Sequence, residues 1–212
     1  MKDVNGGQIS SRQMLRHFDQ CDPVISAAMR RIGPFALKRN RNYFQTLCRS
    51  IISQQISTLA AETIHGRFRR LFPSLRPNPA RVLALAEESL RDAGLSRQKI
   101  SYLKDLSEHF HSGAIRPRRL ICESDEAIIE QLTAVKGIGR WTAEMFLIFS
   151  LNRYDVLPVD DLGVQKGVQR LYALPQMPSR AELRSLGERW RPLRTVAAWY
   201  AWRSLDSENI TY

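Results

Sequence analysis

The sequence predicts an all-α protein. Apolar residues recur at helical spacing through most of the chain, and no set of strand-like segments emerges. Short runs of Pro, Gly or Asn, rather than long linkers, interrupt the helical stretches. With 212 residues, the chain is long enough to bury a substantial core and to form one large or two small domains.

The first half of the chain contains predicted helices with recognisable ends. Residues 43–72 carry two apolar stripes at helical spacing, with a junction between them near residues 54–57. Asn78, followed by a proline, suits the start of another helix. Ser96 can cap the next helix, and Gly113 can end it.

Two helices joined by a short hairpin are predicted at about residues 125–150, a helix-hairpin-helix. Ser124 suits an N-cap, two acidic residues follow it, and apolar residues then repeat at helical spacing. Gly137 and Gly139 bracket Ile138 and permit a tight turn with positive φ. A second helix can follow, because the next ten residues lack Gly and Pro.

The start of that second helix is a candidate phosphate-binding site. The first N–H groups of a helix point outward and carry partial positive charge, and glycine lets a phosphate approach the backbone without a Cβ in the way. Lys136 and Arg140 flank the turn with full charges. An ordinary helix-turn-helix corner has the same local pattern, so the residues of the turn alone leave that interpretation open.

An acidic pair lies beyond the hairpin. Asp160 and Asp161 precede a predicted amphipathic helix, for which Asp161 would most commonly serve as the N-cap. In a basic protein with a phosphate-binding turn, such a carboxylate can instead face the sugar of a bound nucleotide. Further along, Ser179 and Glu182 have capping-box spacing, and a last helix can start at Pro192.

The composition favours a polyanionic partner. The chain has 32 Lys plus Arg against 21 Asp plus Glu, a formal net charge of +11 and a pI of about 10.1, which exceed what solubility needs. Its 3 cysteines are widely separated and form no CxxC motif, which argues against a disulfide framework or a zinc or iron–sulfur site. Because neither a signal-peptide pattern nor a membrane-spanning stretch is recognisable, we expect a soluble cytoplasmic protein without membrane association.

Several segments together resemble a known family. The resemblance is carried by LTAVKGIGRWTAEM from Leu132, VLPVDDLG from Val156 and SIISQQISTLAAETI from Ser50, with GLSRQKISYLKDL also similar in style. These motifs are similar to those of the helix-hairpin-helix superfamily of DNA glycosylases, and in particular to its 3-methyladenine DNA glycosylase II type, which excises alkylated bases. The similarity spans about residues 43–172.

The resemblance implies an architecture. We expect a two-lobed helical bundle, with residues 1–42 and 156–212 in one lobe and residues 43–155 in the other. The iron–sulfur cluster of other branches is not expected, because its four cysteines near the carboxyl end are missing. The residues before Tyr43 are too few for the amino-terminal β domain that some relatives carry. A monomer would suffice for the activity.

The resemblance also assigns catalytic residues. Asp161 is the expected catalytic carboxylate, with Asp160 as the alternative, since members reading Val-Asp-x-x would align that residue instead. Trp141 stands where bifunctional members carry a lysine that attacks the sugar. An indole cannot form the Schiff base, so the resemblance implies a monofunctional enzyme that uses water and leaves an abasic site. Trp141 can also be a core aromatic residue that closes the hairpin, and both roles are compatible.

The implied reaction is hydrolysis of the N-glycosidic bond of alkylated purines, of 3-methyladenine or 7-methylguanine type, in double-stranded DNA. Such a base already carries positive charge and leaves without a strong general acid, so one ionised carboxylate can stabilise the sugar cation and orient water. The base must first be flipped out of the stack. Trp141 and Met145 are expected to line its pocket, where an aromatic face adds about 0.5 to 2 kcal/mol against a cation.

The resemblance further assigns DNA contacts. In the hairpin, the expected contacts are Lys136, Gly137, Ile138, Gly139, Arg140 and Thr142. At the junction they are Gln54 and Gln55, with Gln55 as the residue that wedges into the duplex. No organic cofactor is expected, and the resemblance implies at most a structural Na+ or K+ held by the backbone carbonyls of Thr133, Val135 and Ile138 when DNA is bound.

Two other functions remain compatible with the sequence. The chain can be a glycosylase for a different lesion, such as an oxidised or deaminated base. It can also be a non-catalytic module that binds damaged DNA and retains the hairpin without the chemistry.

Overall fold

The structure is a computed structural model that describes residues 9–206, and every regular element within that range is helical. The all-α prediction is therefore confirmed. The prediction that the chain lacks a signal peptide concerns residues of which 1–8 lie outside the described part.

The helices follow one another along the chain with short connections. In order, they are α1 (Ser11–Cys21), α2 (Pro23–Ile32), α3 (Tyr43–Ser53), α4 (Thr58–Arg70), α5 (Pro79–Ala84), α6 (Glu87–Asp92), α7 (Arg97–His111), α8 (Asp125–Thr133), α9 (Arg140–Phe149), α10 (Leu162–Leu171), α11 (Arg180–Glu188) and α12 (Arg194–Asp206). A short 3₁₀ helix lies at Pro73–Leu75.

The chain divides into two compact units. One contains the described residues up to Lys38 together with those from Leu147 onward, and the other spans Arg39–Phe146. The predicted boundaries, 42/43 and 155/156, lie near these limits without coinciding with them. The second limit falls inside the continuous helix α9, where the sequence has no Gly or Pro to mark it.

The first unit is built around the contact of α10 with α12. Val164 and Val168 are fully buried on α10, and Tyr200 is fully buried on α12. The two helices approach closely at Gly167, where an added Cβ would lie 2.1 Å from the carbonyl oxygen of Ala201. Only a residue without a side chain is compatible with that approach.

A buried carboxylate also organises the first unit. Asp22 is 1% exposed and caps α2 by accepting hydrogen bonds from the N–H groups of Val24 and Ile25. It also accepts from the Tyr172 hydroxyl at 2.5 Å and from the Trp190 indole at 2.7 Å. A charge this deeply buried is tolerated because donors surround it.

The second unit is centred on α7, which packs against α3, α5 and α6. Apolar side chains of α3, α7 and α8 are buried there, as the helical spacing predicted. The predicted caps are also present, since the side chains of Asn78, Ser96 and Ser124 each accept a backbone N–H at the start of a helix. Gly113 adopts the positive φ expected after α7.

In the first unit, the predicted capping box of Ser179 with Glu182 is present, but the predicted start of the last helix at Pro192 is wrong. Helix α12 begins at Arg194. Its first N–H groups are bound by residues of a distant loop: the Arg194 N–H by the Asp155 carboxylate and the next N–H by the Tyr154 carbonyl.

Candidate functional site

The turn between α8 and α9, residues 134–139, is shaped by one of its two glycines. Gly137 has a φ of +81°, a conformation that side-chain-bearing residues rarely adopt. A Cβ on Gly137 would also lie 2.1 Å from Cδ2 of Tyr102, so the tyrosine ring packs directly on the glycine backbone. Gly139 does not have positive φ, so the tight turn predicted from the two glycines uses that conformation at Gly137.

Gly139 has a different property. An added Cβ there would meet nothing within 4 Å, and the residue is exposed. The first helical hydrogen bond of α9 runs from the Ala143 N–H to the Gly139 carbonyl at 3.1 Å, so the N–H groups ahead of it point out of the helix end. Ile138 and Thr142 are buried, at 4% and 7% exposure, which restricts any DNA contact of these two residues to the backbone.

The two cations of the turn have different surroundings. The Arg140 guanidinium binds both carboxylate oxygens of Glu126, at 2.6 and 3.1 Å, and its Nε binds Glu144 at 3.1 Å. The hydrogen bonds from Arg140 lower the pKa of Glu126 below its ordinary value. Arg140 therefore braces α8 against α9, whereas Lys136 is 66% exposed.

The junction between α3 and α4, residues 54–57, is tied to the turn. The side-chain amide of Gln54 donates to the Gly137 carbonyl at 2.8 Å, and the Lys99 ammonium donates to the Ile52 carbonyl at 2.6 Å. Partial burial lowers the pKa of Lys99. Gln55 is exposed and has a φ of +58°, a strained conformation for a non-glycine residue. The structure thus separates the two predicted residues, with Gln54 holding the junction and Gln55 projecting from it.

The predicted pocket residues share one face of α9. Trp141 and Met145 are four positions apart, which places them one above the other on the same helix. Trp141 is 46% exposed, unusually so for a large aromatic residue, and Met145 is half-buried. The interpretation of Trp141 as a buried core residue is therefore not what the structure has.

The acidic loop, residues 158–161, positions its two carboxylates differently. Asp161 is the N-cap of α10, and its Oδ1 accepts the Val164 N–H at 2.8 Å. Asp160 instead forms an ion pair with Arg180. The backbone of this loop is held by α10, because the buried side chain of Gln165 donates a hydrogen bond to the Val159 carbonyl at 2.7 Å.

The Asp161 carboxylate has a second donor that sequence reasoning missed. The indole N–H of Trp202, on α12, donates to Asp161 Oδ1 at 2.8 Å. The same indole stacks on Phe149, with ring centroids 5.7 Å apart and an interplanar angle of 25°. Gly163 makes room for this arrangement, since a Cβ there would lie 2.9 Å from Cδ1 of Trp202 and 3.0 Å from Asp161 Oδ1.

Comparison with known proteins places the chain in a family. The family model described as "HhH-GPD superfamily base excision DNA repair protein" matches residues 48–192, more than half of the chain. The chain belongs to the HhH-GPD superfamily.

Individual members of the superfamily are similar over nearly the whole chain. The chain is 42% identical over 201 residues to DNA-3-methyladenine glycosylase 1 of Schizosaccharomyces pombe, covering 92% of this chain and 88% of the relative. A solved structure of a 3-methyladenine DNA glycosylase of the same yeast, in complex with abasic DNA, has a TM-score of 0.80 at 35% identity and covers 94% of this chain and 100% of that one. A DNA-3-methyladenine glycosidase structure from Bacillus halodurans has a TM-score of 0.87 at 36% identity, with 94% of each chain covered.

The described residues also bear on metals and membranes. Between residues 9 and 206, no group of three or more His, Cys, Asp or Glu side chains is arranged to hold a metal ion. Nor does that part of the chain contain a helix with the length and hydrophobicity of a bilayer-spanning segment.

The residues that sequence reasoning missed fall into two groups. In the first unit, Trp202 binds Asp161 and Phe149 stacks on Trp202. In the second unit, Lys99, Tyr102 and Asp105 contact the junction and the turn. The first group carries no local signal, because Trp202 lies 41 residues after its partner Asp161. The second group lies within GLSRQKISYLKDL. Its members recur at intervals of three residues, and this spacing was a usable signal that they share one face of a helix.

Proposed function

We propose that the chain is a monofunctional DNA glycosylase that hydrolyses the N-glycosidic bond of alkylated purines in double-stranded DNA during base excision repair. Membership of the HhH-GPD superfamily supports the repair function, and the yeast and bacterial relatives named as 3-methyladenine glycosylases support the substrate class. The observation that carries the proposal is the Asp161 carboxylate, held at the start of α10 by two N–H donors.

The geometry supports Asp161 over Asp160 as the catalytic carboxylate. Asp161 Oδ1 accepts hydrogen bonds from both the Val164 amide and the Trp202 indole, and these two donors orient the carboxylate at the start of α10. Asp160 instead pairs with Arg180, whose side chain is 70% exposed, so a flexible surface partner sets the orientation of this carboxylate. A fixed carboxylate that needs no reorganisation is what stabilisation of a developing positive charge requires.

The reaction follows from the charge on the leaving base. An N3- or N7-alkylated purine leaves as a neutral base when the glycosidic bond breaks, and the positive charge that it carried passes to the deoxyribose. Asp161 stabilises this oxocarbenium-like sugar and orients or deprotonates the water that adds to C1′. Because Trp141 is not an amine, no Schiff base forms, and the product is an abasic site in an unbroken strand.

Two parts of the second unit bind the DNA. The N-terminus of α9 binds a phosphate through backbone N–H groups, which are accessible because Gly139 has no side chain. The exposed Lys136 adds positive charge. Gln55 projects from the junction and fills the gap left by the flipped nucleotide. Trp141 and Met145 line the pocket for the extruded base, where the indole face favours a cation.

A monovalent cation is proposed at the end of α8 when DNA is bound. The residues fit, because the last carbonyls of a helix lack helical donors and carry partial negative charge. The Val135 carbonyl accepts the Ile138 N–H at 3.1 Å but retains a second lone pair. The ion would be held by the backbone carbonyls of Thr133, Val135 and Ile138, and it would supply positive charge for a bound phosphate.

We further propose the cytoplasm as the compartment and the monomer as the active form.

The test is chromatographic identification of the bases released from methylated DNA by the wild-type protein, Asp161→Asn and Asp160→Asn. Wild type is expected to release free methylated purines and to leave alkali-labile sites without strand breaks. Asp161→Asn keeps an oxygen acceptor for both donors, so it should fold and bind DNA, yet lose roughly 10² to 10³-fold in release rate. Asp160→Asn removes a surface ion pair and should change the rate less than about fivefold.

Other outcomes would identify the alternatives. A panel of duplexes that each contain one oxidised or deaminated base separates a glycosylase of different specificity. If wild type binds these duplexes and methylated DNA but releases no base from any of them, the chain is a non-catalytic module and the proposal is wrong.

A further inference from the structure

Helix α7 presents one face to the DNA-binding parts of the second unit. Lys99, Tyr102 and Asp105 lie at intervals of three and contact, in turn, the Ile52 carbonyl, the Gly137 backbone and Lys136. Two of these contacts are readily explained, since they anchor the junction and the turn. Asp105 is different, because it places a carboxylate beside a surface that should bind phosphate.

Asp105 has two separable interactions with Lys136. Its Oδ2 accepts the Lys136 backbone N–H at 2.9 Å, which fixes the first residues of the turn. Its Oδ1 lies 3.5 Å from the Lys136 ammonium. The carboxylate is only 14% exposed, so solvent screens it less than it screens an ordinary surface acid. The backbone bond needs only an oxygen acceptor, whereas the ion pair needs the negative charge.

A further titratable side chain lies beside the Asp105 carboxylate. His109, on the same helix, approaches the carboxylate at 3.6 Å, but its Nδ1 lies closer, at 2.9 Å, to the Asp105 backbone carbonyl. Lys136, by contrast, contacts the carboxylate with both its backbone N–H and its ammonium group.

We infer that Asp105 competes with phosphate for Lys136 and thereby lowers the affinity of the hairpin for the backbone of undamaged DNA. The inference rests on the proposed function, since it assumes that the turn binds a phosphate. An enzyme that searches DNA gains from weaker non-specific binding, because undamaged sites are in great excess over damaged ones. A phosphate that approaches Lys136 must either displace Asp105 or tolerate it nearby.

The decisive variant is Asp105→Asn, which keeps the oxygen that accepts the Lys136 N–H and removes the charge. We expect it to bind an undamaged duplex roughly two- to fivefold more tightly than wild type, the size of one exposed charge pair. Because one more cation is then available to DNA, the plot of log affinity against log salt should steepen by up to about 0.9. Fluorescence anisotropy titrations between about 50 and 200 mM salt measure both quantities.

Three further variants make the test specific. Asp92→Asn changes the net charge equally at an exposed position at the end of α6 and should leave affinity and slope unchanged. Lys136→Gln should weaken binding, and Asp105→Asn should have little effect when added to it. If Asp105→Asn fails to fold by circular dichroism, Asp105→Ser, whose oxygen lies one bond closer to the backbone, removes the charge with a smaller polar side chain.

The result that overturns the inference is an affinity for undamaged DNA that is unchanged or lower in Asp105→Asn, with an unchanged salt slope. An equal gain in the Lys136→Gln background would also overturn it, since the effect would then not pass through Lys136. Base release measured on the same preparations keeps the two proposals distinct. The binding change can occur in a protein that releases no base, and release can occur without it.

Discussion

The hairpin turn and the acidic loop are assembled by opposite means. In the turn, residues 134–139, the groups available to a phosphate are backbone groups; Gly137 sets the path of the backbone, and Gly139 leaves it open to the phosphate. In the acidic loop, the functional group is a side chain, and a residue 41 positions away orients it. A binding surface made of backbone can therefore be recognised from a short motif, whereas a reactive side chain depends on how distant helices pack.

The largest expected effect sharpens this comparison within the turn itself. Gly137→Ala introduces a Cβ at positive φ, which costs roughly 1 to 3 kcal/mol, and adds an overlap with the Tyr102 ring. We expect it to lower both the stability, followed by thermal unfolding, and the affinity for DNA, because the turn must rearrange.

Gly139→Ala is the matched control for that variant. Its Cβ meets nothing within 4 Å and its φ is not positive, so the loss of stability should stay below about 1 kcal/mol, the cost of alanine at a helix start. DNA affinity should still fall, because the methyl group stands where the phosphate approaches the backbone. Equal stability losses in the two variants would contradict the different roles assigned to the two glycines.

A smaller effect is expected in the acidic loop from Trp202→Phe. Phenylalanine can still stack on Phe149 but cannot donate to Asp161. A hydrogen bond to a charged group contributes about 1.5 to 3 kcal/mol, so base release should slow by roughly 10- to 100-fold. The affinity for undamaged DNA should not change, since the turn lies in the other unit.

Trp199→Phe is the control on the same helix, where Trp199 packs edge-on against Phe35. It should leave the release rate of the folded protein unchanged. A comparable loss of rate in both variants would mean that Trp202 acts through the packing of α12 rather than through its bond to Asp161.

The sequence predicted the helices, their caps and the turn, because these depend on residues a few positions apart. Ser124, Asn78 and Ser96 cap their helices as predicted, and Gly137 has the predicted positive φ. The start of α12 was not predictable, because residues of a distant loop bind its first N–H groups. The bond from Trp202 to Asp161 was unpredictable for the same reason, since it requires the close approach of α10 and α12 at Gly167.

The predictions for Arg140 and Gln54 show a further limit of what the sequence can predict. Arg140 and Gln54 were predicted to contact DNA from their place in the motif. The structure gives the first an internal pair with Glu126 and the second a bond to Gly137. Residue type and position predicted neither of these intramolecular contacts, and the DNA contacts of both side chains stay predictions.

The central claim is that the Asp161 carboxylate interacts with a positively charged sugar. The most direct measurement compares binding of a duplex with a cationic pyrrolidine in place of the deoxyribose and one with a neutral tetrahydrofuran, in wild type and in Asp161→Asn. Wild type should prefer the cationic duplex by roughly 10- to 100-fold, the size of one charge-assisted contact, and Asp161→Asn should lose that preference while binding the neutral duplex as wild type does. A preference that persists undiminished in Asp161→Asn would contradict the account.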